Sequence, residues 1–149
     1  MNDQPGLDVE HVTVSFVGLP PVLDDVSMSV RSSEVVALLG PSGSGKSTLL
    51  RVIAGIISPD SGRVLIHGAD VTAEPTHRRA VGMVFQDNQL FPHMSALENV
   101  EFGLKMAGIA RPERSERGSA WLRRVGLSGF EKRRVTNLSG GEAKRVALA

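Results

Sequence analysis

At 149 residues and 41% apolar content, the chain is of one-domain size and apolar enough to bury a core, which excludes disorder as the default state. A net charge of +1 removes any global electrostatic reason to expect a polyanion or a membrane surface as partner. The absence of cysteine excludes a disulfide framework and a thiolate metal site and fits a reducing compartment, the cytoplasm being the simplest.

Met1 to Glu10 holds acidic residues and no apolar stretch of the kind a secretory signal needs. Val9, Val12 and Val14, then Val26, Met28 and Val30, recur near period two on either side of a Gly18–Pro21 turn, predicting a small antiparallel β unit with one face buried. Val35–Leu39 is apolar at every position, which predicts a strand covered on both faces inside a parallel sheet. It is far short of the ~20 residues that cross a bilayer, so any membrane role has to come through a partner. From Lys46 to Ala54, Leu49, Leu50, Ile53 and Ala54 fall at helical spacing, and Gly55 is placed to end the helix. Arg63–Ile66 and Val81–Phe85 are predicted as further strands, the first closed by His67-Gly68 and the second opening a loop through Pro92. Ser95 and Glu98 form a capping box for a helix with a Leu97, Val100 and Leu104 stripe, stopped at Gly108. Pro112 opens another, with Trp121, Leu122 and Val125 inward and Gly126 behind it. The class expected is α/β, with a mostly helical insert from Ser95 to Thr136.

Gly40-Pro41-Ser42-Gly43-Ser44-Gly45-Lys46-Ser47 fits GxxxxGK[ST], preceded by the predicted strand and followed by the predicted helix. In such a loop glycines let successive backbone N–H groups curl around an anion, and the helix N-terminus adds its dipole. The pattern points to a nucleoside triphosphate, ATP with Mg²⁺. Lys46 would reach the outer phosphates, Ser47 would ligate Mg²⁺ through its hydroxyl, and Thr48 would bond an inner phosphate.

The loop alone does not separate GTPases, kinases and transport ATPases. Leu138-Ser139-Gly140-Gly141-Glu142, however, resembles the LSGGQ signature of ABC ATPases at a fitting distance after the loop. Glu34–Gly40, Ser58–Gly62 and Val84–His93 are similar to segments of the same family, so the resemblance covers nearly the whole chain. It is closest to the ATP-binding subunits of binding-protein-dependent importers, which similarly carry a proline and a histidine after the loop glutamine. The resemblance implies a P-loop NTPase fold of ABC ATPase type. Residues 1–33 would form the antiparallel β unit, 34–94 an incomplete parallel core sheet from P-loop to Q-loop, and 95–149 a helical subdomain ending in the signature helix.

The resemblance also implies roles. Gln86 is the Q-loop residue that senses Mg²⁺ and the attacking water while its loop faces a transmembrane permease subunit. Phe16 matches the aromatic that stacks on adenine, where many relatives carry tyrosine; a buried core phenylalanine is the alternative. Ser139 caps a helix whose third residue is Glu142, and the bare N–H groups there with Ser139, Gly140 and Gly141 make an anion site. Two subunits of the resembling family pack head to tail, so that this segment closes over ATP held by the partner's P-loop, an isologous interface. Glu142 stands where glutamine is usual, which keeps the capping box and brings an anion near a phosphate, a modest weakening.

Other features are set aside. Arg111–Arg134 has eight basic and three acidic residues, net +5 against +1 for the whole chain, but only Trp121 and Phe130 as rings, so it reads as a solvated helix face and no nucleic acid is expected. His11, His67, His77 and His93 lack metal-ligand spacing. Met83, Met94 and Met106 read as core filler. The family's catalytic carboxylates lie on an apolar hhhhDE strand after the signature helix, whereas this chain stops at Ala149 inside that helix. Val22-Leu23-Asp24-Asp25 precedes the P-loop and is in the wrong context. The expectation is a truncated ATP-binding subunit, hydrolysis-deficient on its own, which in a complete protein energises an ABC importer for an unknown solute. Its location would be cytoplasmic, peripheral on the inner face of the cell membrane. Its partners would be a second ATP-binding subunit, the permease and, indirectly, a periplasmic or extracellular solute-binding protein. A non-catalytic nucleotide-binding module and a soluble ABC-type ATPase without a membrane partner are the alternatives.

Overall fold

The computed structural model describes residues 5–85, 87 and 89–149, which fall into two compact units, 1–83 and 84–149.

In the first unit β1 (Pro5–Val14) pairs antiparallel with β2 (Leu23–Arg31) and with β3 (Ser61–Ile66), and β3 with the short β4 (Ala69–Asp70), giving the order β2-β1-β3-β4. The expected β unit is present, with Val9 opposite Met28, Val12 opposite Val26 and Leu7 opposite Val30. The three-residue step from Val9 to Val12 departs from period two because the ladder is irregular there. His11 lies in the left-handed region (φ 52) opposite an equally left-handed Asp25 (φ 51), and His11 Nδ1 meets Asp25 Oδ1 at 2.7 Å. The bulge keeps all three valines on the buried face. Helix α1 (Lys46–Ile53) lays Leu49, Val52 and Ile53 on that face beside Val9, Val12, Val14, Leu23 and Val64. Each such side chain contributes roughly 1.5–3 kcal/mol when fully buried. His67-Gly68 turns β3 into β4 with φ 48 and 78, as expected of that dipeptide.

The α/β class holds, but the parallel sheet does not appear among the described residues. Val35–Leu39 is irregular backbone with Val35 96% and Leu39 91% exposed, and Val81–Phe85 is irregular too. An apolar run becomes a strand only where its N–H and C=O groups find a ladder partner. No described strand supplies one. Val36 and Leu38 instead border an apolar hollow of about 460 Å³ shared with Leu7, Met28, Val30, Leu50 and Ile53.

The second unit is helical. Its core gathers Ala96, Leu122, Leu127, Val135 and Val146 from α2 (Ala96–Val100), α4 (Arg111–Arg124), the segment after it and α5 (Gly140–Leu148). The single helix expected from Ser95 to Gly108 is broken at Glu101 into α2 and α3 (Phe102–Met106). Helical bonds run on both sides of the break, from Glu101 N to Leu97 O and from Lys105 N to Glu101 O. The distortion carries the buried Glu101 carboxylate to Ser115 Oγ (3.0 Å) and Arg114 Nε (3.3 Å).

Trp121 does not point inward. It is 46% exposed under the Arg124 guanidinium, 4.7 Å from the ring centroid. The inward stripe of α4 is Gly118 and Leu122, and a Cβ at Gly118 would lie 2.8 Å from Leu97 Cδ1, so α2 approaches where the helix is thinnest. Met106 is likewise exposed rather than core filler. No helix among the described residues is long and apolar enough to cross a membrane.

Candidate phosphate-binding site

The residues of the glycine-rich motif, 40–48, form one concavity. Gly43 (φ 82) and Gly45 (φ 83) take the left-handed region. At Gly45 space is as restrictive as φ, because a Cβ would lie 2.7 Å from Val22 O and 2.8 Å from Leu23 Cδ2. This contact seats the start of α1 on the start of β2. Gly45 is the N-cap and has no side chain to accept from the first turn, so the N–H groups of Lys46, Ser47 and Thr48 leave the helix without a side-chain cap. Aligned peptide dipoles place about half a positive charge there.

Lys46 Nζ donates to Gly40 O (2.9 Å), Pro41 O (2.6 Å) and Ser44 Oγ (3.1 Å). No carboxylate pairs with it among the described residues. The result is an open hollow of about 540 Å³ bordered by Val22, the loop and Lys46–Thr48. Uncapped amides and an ammonium that no carboxylate neutralises suit a phosphate chain. For a divalent cation the hollow offers the Ser47 hydroxyl, and no group of three or more His, Asp or Glu that could hold a metal occurs among the described residues. A cation held here would take most of its oxygens from phosphate and water.

The remaining site residues stand elsewhere. Phe16 follows β1, is 42% exposed and so is not a core phenylalanine, and does not border the phosphate hollow. Gln86 lies outside the described residues. In the second unit Ser139 caps α5 as expected: Glu142 N donates to Ser139 Oγ (3.3 Å) and Ser139 N to Glu142 Oε2 (2.7 Å). The backbone N–H of Ser139, then its hydroxyl, hold the Glu142 carboxyl below its ordinary value of 4.5. Ser139, Gly140 and Gly141 are exposed, and the amides of the two glycines meet no acceptor among the described residues.

Two structural residues escaped the sequence reading. Asn99 clamps the backbone of Phe91, accepting from its N–H (2.7 Å) and donating to its carbonyl (3.2 Å), while its amide also donates to Ser95 O (2.9 Å). Arg79, 4% exposed, donates only to backbone carbonyls, and burial pushes its guanidinium below the ordinary value. Neither sits in a motif. The signal for Asn99 was its place four residues after the Ser95 cap, and for Arg79 there was none.

The sequence profile of the family described as "ABC transporter" matches residues 23–149. A Streptomyces coelicolor protein named "Fe(3+) ions import ATP-binding protein FbpC" is 51% identical over 143 residues, covering 96% of this chain and 41% of that protein. A Pasteurella multocida protein of the same name is 46% identical over 149 residues, covering all of this chain and 42% of that one. The chain thus spans less than half the length of these relatives. Among solved structures, that of cbiO1 from Clostridium perfringens, described as part of the ABC transporter complex cbiONQ, superposes with a TM-score of 0.82 at 31% identity over 98% of this chain and 60% of that one.

Proposed function

This chain belongs to the ABC transporter family, and from that premise we propose that it provides the phosphate-binding half of a shared ATP site in the ATP-binding subunit of an importer. The observation that carries the proposal is the uncapped N-terminus of α1 beside the unpaired Lys46 ammonium. On arrival of the triphosphate, Lys46 would exchange the carbonyls of Gly40 and Pro41 for the outer phosphate oxygens, and the amides of Lys46–Thr48 would take the inner ones. Ser47 would offer its hydroxyl to Mg²⁺, which, when bound, neutralises the phosphate charge that develops during transfer. Gln86 is proposed to reach the same cation, and Phe16 to stack on the base.

The second half would come from another copy. Its Ser139, Gly140 and Gly141 would close over the phosphates in a head-to-tail dimer, with Glu142 held back on its own helix by the Ser139 N–H. That hold keeps the carboxylate engaged, so its charge weakens closure without abolishing it. The loop after Gln86 would face a permease subunit, with a solute-binding protein acting through it, and the assembly would sit on the cytoplasmic face of the membrane. Ferric ion is the first solute to test, since the named relatives are Fe(3+) import proteins; the solute would be chosen by the membrane and binding subunits rather than by this chain.

Titration calorimetry with Mg²⁺-ATP tests the phosphate site. Lys46→Ala should lose roughly 10- to 150-fold in affinity, the range of one charge-assisted contact, without a lower melting temperature. Equal affinity of wild type and variant would remove Lys46 from the site.

A further inference from the structure

Helix α1 is eight residues long, about 12 Å, and a helix of two turns does not hold itself in water. Its inner face is held by the core, and its N-terminus by the packing of Gly45 on β2. The C-terminus is held by Arg79. Nη1 donates to Ile53 O (3.2 Å), one of the last carbonyls, and to Val52 O (2.8 Å), which also accepts from Gly55 N (3.0 Å) in the closing turn. Nε donates to Glu74 O (2.8 Å) and Nη2 to Thr72 O (2.7 Å), so one planar group ties the helix end to residues 72–79.

The neighbourhood is built around that group. Gly55, just past the helix, has no room for a Cβ against the Arg79 side chain, and Thr76 Oγ1 donates to Gly55 O (2.8 Å). No carboxylate pairs with Arg79 among the described residues, so a buried cation sits at the carbonyl end of the helix whose amide end is the phosphate site.

We propose that Arg79 is a positioning residue for the phosphate site, locking the last turn of α1 so that the amides of Ser47 and Thr48 keep their direction. The assignment rests on the nucleotide reading above. Without Arg79 the carbonyls of Ile53, Thr72 and Glu74 lose their donor, Val52 O keeps only the Gly55 N–H, and the second turn frays; in so short a helix fraying reaches the first turn. The affinity then falls even in molecules that remain folded. Arg79→Lys keeps the charge but supplies one centre in place of the fork, and should lie between wild type and Arg79→Ala.

The test is Mg²⁺-ATP titration of wild type, Arg79→Ala, Arg79→Lys and the core variant Leu122→Ala, each below its own melting transition. Arg79→Ala should bind roughly 5- to 30-fold more weakly, less than the loss of a direct phosphate contact because Arg79 acts through the helix, and guanidinium ion at non-denaturing concentration should restore part of the affinity. Leu122→Ala, in the core of the second unit, should melt earlier and bind as wild type does. Folded Arg79→Ala with wild-type affinity, or guanidinium that restores the melting temperature and not the affinity, would reduce Arg79 to a structural residue. If Arg79→Ala does not fold, Arg79→Lys decides: weaker binding by its folded form supports the proposal, and unchanged binding overturns it. Wild type that binds no nucleotide overturns the nucleotide reading itself, and this inference with it.

Discussion

Helices α2 and α5 begin with the same device. Ser95 and Glu98 at one, Ser139 and Glu142 at the other, exchange the same two hydrogen bonds, and both glutamates are held below their ordinary value by the N–H of the capping serine and then by its hydroxyl. The surroundings differ. At α2 the intervening amides are taken, Ala96 N by Arg133 O (2.8 Å) and Leu97 N by Glu131 O (3.2 Å), so the end is closed by the chain itself. At α5 the intervening residues are glycines whose amides meet no acceptor among the described residues. A capping box therefore marks a helix start, and only the fate of the amides inside it separates a structural end from one free to take an anion. The N-terminus of α1 is the extreme case, open with no side-chain cap.

Both boxes stand on one core, and removing part of it should break them together. Leu122→Ala empties the buried centre between α2, α4 and α5 and should cost about 2–5 kcal/mol, read by denaturant unfolding followed at the second unit. A selective loss at α5 alone would mean that the two helices do not share a core. Ser95→Ala should cost about 1 kcal/mol in the same assay. Ser139→Ala should cost no more, and should leave Mg²⁺-ATP affinity of the single chain unchanged, because in the proposed arrangement Ser139 serves the nucleotide of another copy. A drop in single-chain affinity would place both halves of the site in one copy.

Acid sharpens the likeness. Glu98 and Glu142 each have a folded-state value below the ordinary 4.5, so each contributes stability that is fully present above pH 4.5 and is lost as pH falls through the lower folded value. Glu142→Gln retains an acceptor for the Ser139 N–H and should remove the α5 share of this dependence, while the α2 share persists. An acid limb unchanged by both Glu98→Gln and Glu142→Gln would show that neither carboxylate is linked to folding.

The parts of the molecule legible in the sequence are those settled within a few residues. The glycine-rich turn before α1, the turn at His67-Gly68 and both capping boxes depend on φ, on local donors and on spacing, and the structure has them where the motifs lie. Val35–Leu39 was not legible in that way, since the apolar run states what could be buried but not which strand would pair with it. Trp121 misleads for a related reason. Bulk suggested the core, yet helix packing favoured the smallest residue, Gly118, at the contact with Leu97. Arg79 lay beyond sequence reasoning because its role depends on four carbonyls drawn from two separate segments.

Amide hydrogen exchange with and without Mg²⁺-ATP compares the three helix starts in one experiment. The account predicts that nucleotide slows exchange at Gly43–Thr48, leaves Ala96–Glu98 unchanged, and slows Gly140-Gly141 only at concentrations where two copies associate. Unchanged exchange at Gly43–Thr48 under saturating nucleotide, with or without protection elsewhere, would contradict it.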